Sequence, residues 1–88
     1  MTLAREFEAL LDSYVQGRCA LDDVRRWLAS HVQAVLDSDE DGLRELDGLA
    51  WLLISELDRG DRLEQSVRAE LAGALASGAA PVPAAPPV

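Results

Sequence analysis

In Ser38-Asp-Glu-Asp-Gly-Leu-Arg-Glu-Leu-Asp-Gly-Leu-Ala-Trp-Leu-Leu-Ile-Ser-Glu-Leu-Asp-Arg-Gly60 the apolar residues Leu43, Leu46, Leu49, Ala50, Leu53, Ile54 and Leu57 return every three or four positions. That is the helical period; a strand would alternate. Ser38 predicts the N-cap, Asp41 three residues on completes an approximate capping box, and Gly60 predicts the stop. On the same helical wheel Trp51 lies well round the cylinder from the stripe. Leu52 lies nearly opposite it, among Glu45, Ser55, Glu56 and Arg59. Either this helix is contacted on two sides or Leu52 is exposed, and a single exposed Leu means little.

The flanking segments carry the same period. Upstream, Leu3, Phe7, Leu10, Leu11, Tyr14 and Val15 form a first stripe, with Thr2 placed to cap it and Gly17 to end it. Leu21, Val24, Trp27, Leu28, Val32 and Val35 form a second, with Asp22 and Asp23 in its first turn, where the helix dipole favours anions. Cys19 and Val24 stand at hydrophobic-staple spacing around Ala20, a weak N-cap. Downstream, Asp61 predicts the cap of a last helix, with Glu64 at the box position and Leu63, Val67, Leu71 and Leu75 as its stripe. Short loops make neighbouring helices antiparallel. The expected fold is therefore all-α, a small up-down four-helix bundle over residues 1–76. From Ser77 the uncharged SGAAPVPAAPPV, with its four prolines, reads as a flexible Pro/Ala-rich tail over 77–88. Pro83 and Pro86 make a P-x-x-P spacing that suits a Pro-binding groove, though an unstructured end is the plainer reading.

The chain has 88 residues, 49% of them hydrophobic, and a formal charge of −8 from 8 Lys+Arg and 16 Asp+Glu. A domain this small, without a disulfide, needs tight helix packing or oligomerisation to be stable. No apolar run approaches the roughly 20 residues of a membrane span, and no basic-then-apolar signal opens the chain. The single Cys cannot form an internal bridge, which makes the cytoplasm the default location. The negative balance argues against direct contact with nucleic-acid phosphates or anionic membranes and favours a basic protein partner.

Catalytic machinery is sparse. There is one His, one Cys and one Tyr, with no Lys, no Asn and no phosphate-cradling Gly-rich loop. His31 is the lone acid–base candidate, but it stands among Val24, Leu28 and Val35 and reads as a packed histidine. Cys19 reads as a small buried hydrophobe rather than a nucleophile. No catalytic residue and no cofactor is expected, and the chain reads as a non-enzyme. Asp37-Ser-Asp-Glu-Asp41-Gly42 spells the D-x-D-x-D-G opening of a calcium-binding loop. The twelfth position, however, is Gly48 where a bidentate Glu belongs, and Arg44 takes an apolar position, so no metal is assigned.

The carboxylates around that segment are the most informative feature. Asp37, Asp39, Glu40, Asp41, Glu45 and Asp47 against Arg44 alone give a net −5 in eleven residues, out of −8 for the chain. Charge focused in this way steers a cationic surface toward it and weakens with salt. Asp47, Trp51 and Asp58 share a flank of the same helix, and a Trp between carboxylates resembles an interface hot spot facing Arg or Lys. These eight residues are the candidate partner-binding set. The plainer readings are a solvated helix end and a Trp that closes a seam of the bundle. A small oligomerising helical adaptor, with a homodimer seam on the outer face of this helix, is the alternative function.

One resemblance adds to this reading. It is carried by Phe7-Glu-Ala-Leu-Leu-Asp-Ser-Tyr-Val-Gln-Gly17 followed by Ala20-Leu-Asp-Asp-Val-Arg-Arg-Trp27. It continues through Asp47-Gly-Leu-Ala-Trp-Leu-Leu-Ile-Ser-Glu-Leu-Asp-Arg-Gly-Asp61 and Leu63-Glu-Gln-Ser-Val-Arg-Ala-Glu-Leu71. In helix starts, apolar spacing and turn positions this pattern resembles the colicin D-type bacteriocin immunity proteins. The resemblance implies an acidic bacterial four-helix bundle that binds a basic, RNA-cleaving toxin domain and occludes its substrate groove. The shorter linker into the last helix and the Pro-rich tail depart from that pattern.

Overall fold

A computed structural model describes residues 2–79, which are all-helical, with no strand among them. Five helices follow one another: α1 (Leu3–Val15), α2 (Leu21–Ser30), α3 (Val32–Leu36), α4 (Asp41–Asp58) and α5 (Glu64–Ala79).

Several helix ends form as local chemistry dictates. The Thr2 hydroxyl accepts the Arg5 amide at 3.1 Å and caps α1. After α1, Gly17 adopts φ 80°; the Arg18 amide donates to the Ser13 carbonyl at 2.8 Å and the Gly17 amide to Tyr14 at 3.0 Å. After α4 the same pair recurs: Gly60 has φ 82°, Asp61 donates to Glu56 at 2.8 Å and Gly60 to Leu57 at 3.0 Å. Both are Schellman closures, and their left-handed residue is one that only glycine fills without strain. Ala20 brings no side-chain oxygen to the start of α2, but Asp23 reaches back to accept the Ala20 amide at 2.9 Å.

Other expectations need correction. The second apolar stripe is not one helix: it breaks at His31, whose backbone turns out to φ −119°, ψ 15°. The His31 ring takes the place of its own amide: His31 Nδ1 lies 2.8 Å from the Trp27 carbonyl, the acceptor that a continuing helix would reserve for the His31 amide, while the Ser30 hydroxyl bonds back to the Arg26 carbonyl at 2.8 Å. That amide turns instead to Leu28 at 3.4 Å. As a result Val35 stays buried while Val32 is 47% exposed. Ser38 is not the cap of α4; it accepts the Glu40 amide at 3.0 Å in the preceding turn, and Glu40 holds the N-cap position. Asp61 does not cap α5 but takes the Arg59 guanidinium at 3.2 Å. The Leu63 carbonyl accepts the first bonds of α5 while the Leu63 side chain is 74% exposed. At the far end, α5 continues through Ser77 to Ala79, three residues past the expected boundary. The expected Pro-rich tail otherwise falls on residues 80–88, outside the described residues.

The core gathers Phe7, Leu11 and Tyr14 of α1, Val24 and Leu28 of α2, Val35 of α3, Leu43, Ala50, Leu53 and Ile54 of α4, and Val67 and Leu71 of α5. Burying a Leu or Phe of this kind contributes about 1.5–3 kcal/mol. Helix α1 packs on α2, α4 and α5; α4 also packs on α3 and α5. Tyr14 near the end of α1 meets Glu64 at the start of α5, while Glu8 faces Ala74 and Ser77 of α5, so these two helices run antiparallel. A stack of three rings closes the α1–α2 seam: Phe7 lies 4.3 Å from Trp27, and Trp27 4.0 Å from His31, with planes within 11° and 8° of parallel. His31 is therefore not the core residue expected among Val24, Leu28 and Val35: it is half-buried at a helix junction, stacked on Trp27, with Nε2 3.7 Å from Glu6.

Candidate protein-binding surface

The turn between α3 and α4 and the first turns of α4 hold most of the candidate carboxylates. Asp37 ends α3 and accepts the Gln33 amide group at 3.0 Å. Asp39 is exposed in the turn, Glu40 is half-buried at the N-cap position, and Asp41 and Glu45 are exposed on α4. Arg44, the one cation in the run, lies 3.6 Å from Asp41 and hydrogen-bonds the Ser38 carbonyl. Asp39, Glu40 and Glu45 have no ion pair or side-chain hydrogen bond among the described residues. The structure therefore brings Asp37, Asp39, Glu40, Asp41 and Glu45 to one end of the molecule. The acids nearest the amide end of α4 also sit in its favourable dipole field.

The flank named further along α4 divides. Asp47 is half-buried, and burial pushes its carboxyl above the ordinary value of 3.8 with no cation to offset it. Trp51 is 41% exposed and Leu52 51%, so the outer side of α4 is indeed left open. Asp58 lies at the opposite end of the helix and is already engaged. Its two oxygens accept from Arg25 at 2.8 and 2.6 Å, and this bidentate pair holds the carboxyl below 3.8. An incoming cation at Asp58 would have to displace Arg25.

That opposite end is a polar lattice the sequence did not reveal. Arg62 donates to Glu56 at 2.7 Å and to Ser66 at 2.7 Å. The Tyr14 hydroxyl donates to Glu64 at 2.9 Å, and the Arg68 guanidinium lies 4.9 Å above the Tyr14 ring and 3.6 Å from Glu64. Burial first, then the Glu64 carboxylate, push the Tyr14 phenol up to about 12. The only hints in the sequence were charged residues around the Gly60 turn, which do not state their partners.

Cys19 is half-buried with its sulfur 3.8 Å from the Leu10 carbonyl, and burial pushes its thiol up. A reactive thiolate requires the opposite shift. In the D-x-D-x-D-G segment α4 starts at Asp41, so Gly42 lies inside the first helical turn rather than at a loop bend. No group of three or more His, Cys, Asp or Glu among the described residues is arranged to hold a metal ion. No helix among them is long and apolar enough to cross a membrane. Compared with known proteins, the chain matches no family model, no curated protein and no solved structure.

Proposed function

We propose that this chain is a non-catalytic, protein-binding inhibitor of the bacterial immunity type, acting in the cytoplasm on a basic partner such as an RNA-cleaving toxin domain. In this reading α2 and α3 act as one bent arm, so the chain works as a four-helix bundle. The observation that carries it is the set of carboxylates at one end, of which exposed Asp39 and Glu45 and half-buried Glu40 have no cation partner among the described residues. Such groups stay hydrated until a guanidinium or ammonium replaces the water, and the exchange is strongest against a desolvated basic groove. The mechanism is occlusion: the turn before α4 and its first residues occupy the groove that phosphates would otherwise fill.

The test is capture from lysate of the source cells on the immobilised chain at low salt, followed by a salt gradient. A basic protein released at moderate salt, and absent when Asp39→Arg, Glu40→Arg and Asp41→Arg are combined in a chain of unchanged helix content, supports the reading. Equal capture by the triple variant overturns it. The exposed Trp51 and Leu52 favour a second reading, an oligomerising adaptor. It expects a mass of two or more chains, little affected by salt, with both side chains protected in the assembly.

A further inference from the structure

We infer that the outer face of α4 is self-complementary, and that a second copy of this chain docks on it with its own α4 running antiparallel to the first. This deepens the second of the two readings above, assembly, and rests on it. Along α4 and its C-cap Arg59, the exposed residues Asp41, Glu45, Gly48, Leu52, Ser55 and Arg59 recur at alternating spacings of four and three. That is the 3.5-residue repeat of a two-helix seam. It lies on the side of α4 away from Leu43, Ala50, Leu53 and Ile54, which belong to the core. Leu52 stands in the middle of the seam and exposed Trp51 borders it.

The order of charges along the seam selects the occupant. Its start is negative, with Asp41 and Glu45; its end is positive, with Arg59. Antiparallel pairing then sets Asp41 against Arg59 of the partner subunit and Glu45 against Ser55 of the partner subunit. In the same register Leu52 meets Gly48 of the partner subunit, which has no side chain to displace it. A twofold axis makes each contact twice and brings both Trp51 rings to one flank, and no layer of the seam opposes like charges. Parallel pairing fails on the same residues, because it stacks Asp41, Glu45 and Arg59 each on its own copy. A uniformly cationic helix from another protein would be repelled by Arg59, and an anionic one by Asp41 and Glu45.

These charges are free to change partners. Asp41 lies 3.6 Å from Arg44 and Arg59 3.2 Å from Asp61, both exposed pairs of the kind that contribute little. Glu45 has no ion pair or side-chain hydrogen bond among the described residues. The pairing also covers Leu52 and Trp51, apolar surface that a domain this small leaves outside its core.

The experiment is sedimentation equilibrium of the full chain over a concentration series reaching about 1 mM, with helix content checked by circular dichroism. The mass should rise toward two chains. Leu52→Asp, a change at an exposed site, should weaken association by about tenfold or more. Asp41→Arg and Arg59→Asp should each weaken it several-fold, because each alone sets like charges against one another in two layers. Combined, they keep the net charge of −8 and should restore association to within about threefold of the unmodified chain, a readout that holds even where Leu52→Asp disturbs the fold. A mass of one chain throughout overturns the inference and the assembly reading together. A dimer indifferent to Leu52→Asp overturns the inference but keeps assembly, on another face, as does a combined variant no stronger than the single ones.

Discussion

The two ends of the molecule use the same carboxylates in opposite ways. Where α1 and α4 finish and α5 begins, Asp58 is held by Arg25, Glu56 by Arg62, and Glu64 by Tyr14 and Arg68. Where α4 starts and α5 finishes, Glu8, Asp39, Glu40 and Glu45 have no such partner among the described residues. At the first end charge stitches helices together; at the second it is turned outward, and the fold there relies on apolar contacts such as Val35 and Leu43. The lesson is that a count of acids does not locate a binding surface. The positions of the arginines do.

The strongest attack on this contrast is Leu43→Ala, which removes apolar packing from the end whose polar ties are only local, such as Arg44 with Asp41 and Gln33 with Asp37. It should cost about 2–5 kcal/mol in urea denaturation. Hydrogen exchange should accelerate first in α3 and the opening turns of α4, while the last turns of α4 keep their protection. Uniform acceleration would show that the two ends do not differ. At the stitched end, Tyr14→Phe should cost about 1 kcal/mol through the lost bond to Glu64. The phenol sharpens this further. Its folded pKa is about 12 against 10.0 for the free group, so its contribution is whole below 10.0 and is lost as pH rises toward about 12. Tyrosinate absorbance should titrate late, and the wild-type advantage over the Phe variant should fade across that window.

Smaller again is Glu56→Gln, about 1 kcal/mol or less, because the Glu56–Arg62 pair is half-buried and has other ties to Ser66. Neutralising Asp39 and Glu40 together should cost only the favourable field at the start of α4, about 0.3–1 kcal/mol and screened by salt, since neither side chain has an ion pair or hydrogen bond among the described residues. A loss that persists at high salt would break the comparison. Finally, acid should act on α4 in two opposite steps. Asp47, its pKa raised by burial, is a liability above that pKa, and stability is gained as pH falls through it toward 3.8. Asp58, its pKa lowered by Arg25, contributes above 3.8, and that stability is lost as pH falls through its depressed value. Stability against pH for Asp47→Asn and Asp58→Asn should each be missing one of these steps.

What was legible in the sequence is what local chemistry decides. Thr2, Gly17 and Gly60 act within a few residues of themselves, so the ends they set could be read directly. The stripes of α1 and α4 were equally plain, because a helical period needs no knowledge of the neighbour. The break at His31 was not read, although the contacts there are local: the His31 ring sits on the Trp27 carbonyl that its own amide would use, and Ser30 bonds back to Arg26. Leu63 fits the stripe of α5 by spacing but precedes the helix and points to solvent. In the candidate surface, the exposure of Asp39, Asp41 and Glu45 followed from charge and position. The capture of Asp58 by Arg25, 33 residues away, and the burial of Asp47 depend on how helices meet, which no single helical wheel contains.

The ring stack also makes the two tryptophans into separate optical reporters. Trp27 is pressed between Phe7 and His31, which shield both faces of its ring, so its emission answers to the integrity of the α1–α2 seam. Trp51, 41% exposed on α4, answers instead to whatever covers the outer face of that helix. Opening of the α1–α2 seam should therefore change the first lamp, and a docked partner should shift the colour of the second.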